Sequence, residues 1–489
     1  MNLTLTSALR IAQNSILNSG TRTSVLTNNI AGASDPNYSR RDAAITYGPS
    51  GEQTISVRRV ENASLLNSSL RASASAVAQE TLSSSVTRLS RLINGVDGET
   101  SISSALTNLE NSLQLYSGDP GNEILASATI DSAREVADRL STASGAVQLF
   151  RAEADRQMEQ SVADINALLA EFKQVNDNVI AETRSGNDAS QWLDRRDTLL
   201  KDLSTHIAVN PVVRDDNDMV LYTYQGVTLF ETNPRAVTFS PTPTFDPSTS
   251  GALPRIDGIP LDIGSGASTN AAGSLAAWAQ LRDDIAVDAQ AQLDEIARGL
   301  VVAFAETDQT GGGAPTLAGL FTYDGGPAMP PAGAVYTGMA GSISVNNLYL
   351  PEVGGSALLL RDGGANGAAY VANSNGDSGF SAQLLNLTEN FGAAYATDAT
   401  AGIAGSYSLA SYAEASLGWM EGIRSTASAA ADRKSVLSER FEQQLLNETG
   451  VNMDEEMSRL IELEQSYEAS ARIIATVDQL FQTLLDSIR

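Results

Sequence analysis

The sequence predicts a mainly α protein with β-rich insertions. In this nested architecture the N- and C-terminal helices pair as a coiled coil, followed by a helical bundle domain and a β-rich outer domain. Three observations carry the expectation. Residues 450–489 repeat an apolar residue every seventh position, and residues 2–32 carry a comparable stripe. From His206 the hydrophobic period falls to two.

In the C-terminal stretch Met453, Leu460, Tyr467, Ile474, Phe481 and Ile488 stand seven apart. Met457, Leu463, Ala471, Val477, Leu484 and Leu485 fill neighbouring places on the same stripe. A 3.5-residue repeat sustained this long is a coiled-coil seam rather than the short stripe of a surface helix. Gly450 ends the preceding helix, Asn452 is placed to cap the next, and Glu455 completes a capping-box pattern. Burying six large side chains at about 1.5–3 kcal/mol each contributes on the order of 10 kcal/mol. Two readings follow: a helical hairpin within one chain, or a docking helix that orders fully only in an assembly.

At the other end, Leu5, Leu9, Ala12, Ile16, Leu26 and Ile30 keep a 3/4 spacing, interrupted by Ser19 and Thr23 and loosened by Gly20. The helix must stop at Ser34-Asp35-Pro36-Asn37, because a residue before proline is pushed out of the helical region. Two amphipathic ends of similar length suggest a pair.

Between them, Thr54 to Val60 is extended, followed by Ala- and Ser-rich helices punctuated at Asn94-Gly95, Asp97-Gly98 and Gly118-Asp119-Pro120-Gly121. Segment 146–182 is a long helix with Met158, Val162, Ile165, Leu169, Phe172, Val175 and Val179 on one face. The charges of Asp194-Arg195-Arg196-Asp197 suit Asp–Arg ties to neighbouring helices. Short strands are expected at 208–213, 219–222, 227–230, near 255–263 and at 342–345, with helix at 273–306 and again from Ser381. The expected division is 1–50 with 450–489 as a terminal coiled-coil domain, and 51–206, 271–307 and 381–449 as a discontinuous helical domain. A β-rich insertion occupies 207–270, and 308–380 are Gly/Pro-rich loops with minor β structure.

The net charge of −27 argues against nucleic-acid and acidic-membrane partners. No stretch reaches the roughly 20 apolar residues of a membrane span. With no cysteine and one histidine, Cys/His nucleophile pairs and the usual zinc sites are excluded. A serine triad would need His206, and no GxSxG presents a serine. Asp215, Asp216 and Asp218 lack the order of a calcium loop and read as a solvated turn. No catalytic, cofactor-binding or metal-ligating residue is expected. The Asp194–Asp197 cluster is the one enzyme-like feature, of interest only if the chain were a secreted enzyme on a helical scaffold.

Residues 28–40, Asn-Asn-Ile-Ala-Gly-Ala-Ser-Asp-Pro-Asn-Tyr-Ser-Arg, resemble the N-terminal motif of bacterial flagellar rod, hook and hook-associated proteins, NNIANANTPGYSR. They depart from it at Asp35 and Asn37. Gly450-Val451-Asn452-Met453-Asp454-Glu455-Glu456 resembles that family's GVNLDEE, and residues 465–472 resemble QQAYQASAR. Residues 192–200 are similar to LLDQRDxLL and Leu281-Arg282-Asp283 to FRD. The Tyr-Ser-Arg ending is closest to the hook-associated branch that joins hook to filament, with hook or distal rod protein as the alternative. That resemblance implies a non-enzymatic structural protein at the extracellular hook–filament junction, exported by the flagellar apparatus without a cleavable signal peptide. It implies a ring of copies as self partner, with hook protein, a second junction protein (hook-associated protein 3) and a cytoplasmic export chaperone on the C-terminal helix as further partners. The expected interface residues are Leu9, Ile16, Leu26, Asn29, Ile30, Tyr38, Met453, Leu460, Tyr467, Ile474, Phe481, Leu484 and Ile488.

Overall fold

The computed structural model describes residues 2–47, 53–95, 101–261, 264–269 and 272–488. Helices come first and last. Helix α1 is Asn2–Gly32, α2 Ala63–Asn94, α3 Ile102–Gly118, α4 Glu123–Ser185 and α5 Ser190–His206. After the strands come α6 (Ser274–Gln280), a π-type turn at Leu281–Ile285, α7 (Ala286–Ala303), α8 (Met339–Ser342), α9 (Leu359–Asp362) and α10 (Ala382–Gly392). Then α11 (Leu409–Thr449) and α12 (Met453–Ile488) close the order. The strands make small antiparallel sheets: β1 (Arg41–Tyr47) with β2 (Gln53–Arg59), and β3 (Val209–Val213), β4 (Met219–Thr223) and β5 (Thr228–Phe230) in that order. A third sheet holds β6 (Val237–Thr238), β7 (Arg255–Ile256) and β8 (Ile259–Pro260). Strands β9 (Phe321–Thr322) and β10 (Ser344–Val345) pair, as do β11 (Tyr395–Thr397) and β12 (Gly405–Tyr407).

The chain forms two compact units. One is Met1–Ala76, Asp164–Ala236 and Lys434–Arg489; the other is Val77–Ala163 and Val237–Arg433. In the first, α1 lies along α12. Ser15 Oγ meets Ser470 Oγ at 2.9 Å and Asn29 meets Glu456, so moving up α1 means moving back down α12: the pair is antiparallel. Both chain ends are helical and paired, as expected. The seam differs from expectation in phase. The line buried on α12 is Glu456, Leu463, Ser470 and Val477, while Met453 and Tyr467 are 43% and 49% exposed. On α1 the buried line is Ala12, Ser19 and Leu26, so Ser19 is part of the contact rather than a gap in it. Small residues let two backbones approach closely, and a scan for large apolar residues passes over them.

The hairpin β1–β2 follows α1, with Arg41 opposite Arg59. Only its second strand was expected. In the β3–β4–β5 sheet, Asp216 and Asn217 both take φ 58°, a left-handed turn that short polar side chains tolerate. Phe230 of β5 meets Phe172 of α4 edge-on at 5.0 Å. The whole expected α4 face from Met158 to Val179 is buried, and the helix begins at Glu123 rather than 146 because Gly145 is accommodated within it.

The second unit has one large core. Leu109, Leu113 and Tyr116 of α3, Val147 and Phe150 of α4, and Leu293 and Leu300 of α7 belong to it. The Leu281-Arg282-Asp283 stretch lies in the π-type turn, and Arg282 is fully buried there. Burial, and then the nearby Asp284, push the Asp288 carboxyl up to about 6. A carboxyl whose folded pKa is raised adds stability below its unfolded value, and that stability is lost as pH rises through about 6. Asp288→Asn should therefore stabilise the chain at pH 7.5, by about 1 kcal/mol, and give no gain at pH 4. Thermal melts at the two pH values check this, and an equal gain at both would refute it.

Candidate functional site

Three stretches far apart in sequence meet within the first unit: the end of α1 with its Asn-Tyr-Ser-Arg tail, the Asp194–Asp197 turn of α5, and the start of α12. Asn29 is the centre. It is fully buried, and all four of its hydrogen-bonding positions are used. Its Nδ2 donates to Arg41 O at 2.9 Å and to Glu456 Oε2 at 2.8 Å. Its Oδ1 accepts from Tyr38 Oη at 2.9 Å and from Arg41 N at 3.0 Å. Glu456 is itself fully buried and faces Arg459 Nη1 at 3.4 Å. A buried polar group so completely satisfied specifies one arrangement, because any shift leaves several groups unpaired at once.

Tyr38 reaches Asn29 by folding back over the end of α1. Its ring lies on Gly32, where an added Cβ would sit 2.6 Å from the ring. Arg41 stacks on the other contact of that ring, 5.0 Å from its centroid. Burial raises the Tyr38 hydroxyl pKa, which keeps it a donor. Gly32→Ala should displace the ring and cost about 1–3 kcal/mol. Faster protease cleavage at residues 33–40 would report it, and unchanged cleavage would refute it.

Asp194 holds the hairpin. It accepts from Arg59 Nε at 2.8 Å, Arg41 Nη2 at 3.3 Å and Ser39 N at 3.4 Å, while Asp197 takes the other arm of Arg59. Burial pushes the Asp194 carboxyl up and Arg59 draws it back. The expected Asp–Arg ties form, but they run from α5 to the β1–β2 hairpin rather than to a neighbouring helix. Arg40 N donates to Thr449 O at 2.7 Å, so the last turn of α11 joins the same knot. At the start of α12, Asn452 Oδ1 accepts from Asp454 N and Glu455 N, the expected cap. The carboxylate of Glu455 goes to Arg459 at 2.6 Å and towards Arg40 at 3.7 Å, rather than back to the cap.

Of the expected interface residues, Asn29 and Leu26 are buried, and Leu9, Ile16, Ile30, Tyr38, Leu460, Ile474 and Phe481 are half-buried. Met453 and Tyr467 are exposed. The side chains of Leu484 and Ile488 lie outside the described residues. Sequence reasoning passed over Arg41, Arg59 and Glu456 as members of the knot. Glu456 carried a signal, since it stands seven before Leu463, which stands seven before Ser470. Among the described residues no cluster suits a metal ion, and no helix is long and apolar enough to cross a membrane.

Residues 86–319 match the flagellar hook-associated protein FlgK helical domain, and residues 442–487 match the flagellar basal body rod FlgEFG protein C-terminal domain. The chain belongs to the flagellar hook-associated protein FlgK family. It is 21% identical to flagellar hook-associated protein 1 of Bacillus subtilis (strain 168), over 95% of each chain. Its fold resembles the flagellar hook junction protein FlgK from Burkholderia pseudomallei, with a TM-score of 0.57 at 14% identity. That likeness covers 77% of this chain and 99% of the other. As a FlgK-family member the chain is a structural hook–filament junction protein of the flagellum, not an enzyme.

Proposed function

We propose that the paired terminal helices are the surface through which copies of this chain assemble into a ring in the flagellar axis. The ring sits on hook protein and receives the second junction protein, hook-associated protein 3. Before export to the extracellular junction, a cytoplasmic chaperone shields α12. The observation that carries the reading is the apolar surface left over when α1 and α12 have paired. Ile11 and Leu17 of α1 are 63% and 70% exposed, and Ile461, Ile473 and Leu480 of α12 are about half exposed. Large apolar residues left exposed together on a surface mark a site that another molecule covers. Neighbouring copies present the same apolar residues, and Asn29, Tyr38 and Glu456 set the angle at which each copy presents them. Leu17→Asp with Leu480→Asp should leave the chain folded and hooks without filaments, so that flagellin is secreted unassembled. Normal filaments from that double variant would sink the reading.

A further inference from the structure

We propose that a cavity beside the free edge of β3 is the seat for a second copy of this chain, which enters it with the α12 strip Met457, Ile461, Glu464 and Glu468. The inference rests on the assembly reading above and names which surface of one copy meets which surface of the next.

The cavity measures about 390 Å³. Its apolar lining includes Leu66, Pro211, Val213 and Leu446. Strand β3 stands at the edge of its sheet, and Val212 and Val213 are nearly half exposed there. Pro211 lacks an N–H, which opposes addition of a further strand. An occupant must therefore be held by side chains.

The two carboxylates in the cavity wall, Glu61 and Asp197, both face Arg59, and Lys201 beside them enters no ion pair among the described residues. Lys201 Nζ donates to the neutral Asn37 Oδ1 at 3.0 Å. Arg196 is buried, its Nη1 donates to Asn176 Oδ1 at 3.1 Å and Asn217 O at 2.5 Å, and its Nε meets no acceptor. Burial pushes the Arg196 pKa down to about 10, and the nearby Asp197 offsets part of that. The neighbouring Arg59 is already taken by Asp194 and Asp197. In a chain of net charge −27, such a pocket asks for an acid flanked by apolar groups.

The α12 strip has that chemistry. Its members stand at i, i+4, i+7 and i+11, so they share one face of the helix. That face points away from the line at Glu456, Leu463, Ser470 and Val477 that packs on α1. Met457 and Ile461 are 45% and 53% exposed. Glu464 is exposed and enters no ion pair among the described residues, and Glu468 pairs loosely with exposed Arg472 at 3.6 Å. An apolar pair with two acids thus faces outward on one copy, and a cavity with apolar walls and Lys201, which meets no carboxylate, stands on the next.

The chain has no cysteine, so introduced ones report without background. Val213→Cys with Ile461→Cys in the full chain, assembled on hooks and treated with mild oxidant, should give a ladder of disulfide-linked multimers. The ladder should be absent from either single variant and from the monomer in solution. Separately, Lys201→Glu should lower incorporation at least tenfold, and adding Glu464→Lys should restore it. A link within one chain or to a different protein overturns the inference. So does unimpaired incorporation of Lys201→Glu, or an impairment that Glu464→Lys does not relieve. In those cases the assembly reading stands as long as the wild-type chain joins the hook. If the wild-type chain fails to join it, the assembly reading falls and takes the inference with it.

Discussion

Leu463→Asp should release α12 from α1, whereas Tyr467→Asp should leave the pair in place and act only on assembly. The two residues are one helical turn apart, and sequence periodicity alone gives Tyr467 the better claim to the seam. Leu463 is 3% exposed on the α1 contact line and Tyr467 is 49% exposed. Replacing Leu463 removes roughly 2 kcal/mol of apolar burial. It also puts an unpaired carboxylate into the buried contact between α12 and α1, at a further cost of several kcal/mol. Tyr467→Asp meets water, so its effect on pairing should stay below about 1 kcal/mol. Amide exchange across residues 9–30 measures the difference directly. Exchange there should quicken by a hundredfold or more for Leu463→Asp and hardly change for Tyr467→Asp, with residues 102–160 unaffected in both. Equal effects would mean that the contact line has been assigned to the wrong phase of the heptad.

The same pair of residues shows where the sequence could be read and where it could not. Period seven was visible because Leu, Tyr, Ile and Phe recur, and it predicted a terminal helix and its pairing correctly. The phase was not visible. The close antiparallel contact is made by Ala12, Ser19 and Ser470 and by a satisfied polar pair, Asn29 with Glu456, none of which stands out on a hydrophobicity scale. Asn29 and Tyr38 were picked out by motif resemblance, yet their task depends on distant partners: Asn29 donates to Glu456, more than 400 residues away, and the backbone just after Tyr38, at Ser39 N, donates to Asp194, more than 150 residues away. Strand β1 was missed for a related reason. Arg41-Asp42-Ala43-Ala44 has little β propensity, and what holds it extended is pairing to β2 and the grip of Asp194 on Arg41. Long-range polar ties of this kind leave no periodic trace. Helix α4 was underestimated because a lone Gly145 reads as a break in a single sequence, while the flanking Val136, Leu140, Val147 and Phe150 keep the core face going through it.

The largest loss in the second unit should come from Arg282→Ala. Arg282 is among the biggest fully buried side chains, and its guanidinium is surrounded. It pairs with buried Asp155, with Asp283 at 2.7 Å and with Ala252 O at 2.8 Å, and it lies near the rings of Phe239 and Phe245. Burial draws its pKa down, but Asp283 and Asp155 more than reverse the effect, so the charge is kept. Gly251 packs so closely on the guanidinium that a Cβ there would sit 2.3 Å from Cζ. Truncation strands Asp155, which is 1% exposed and whose other carboxylate oxygen accepts from Thr242 N at 2.7 Å. Removing one partner of a buried ion pair costs about 3–5 kcal/mol, because the remaining charge stays out of water. The double variant Arg282→Met with Asp155→Leu should recover much of that loss, since no charge is then left unpaired. Denaturant unfolding of the single and double variants tests the point. If Arg282→Ala alone shifts the transition by less than about 1 kcal/mol, the turn between α6 and α7 is not held by this ion pair.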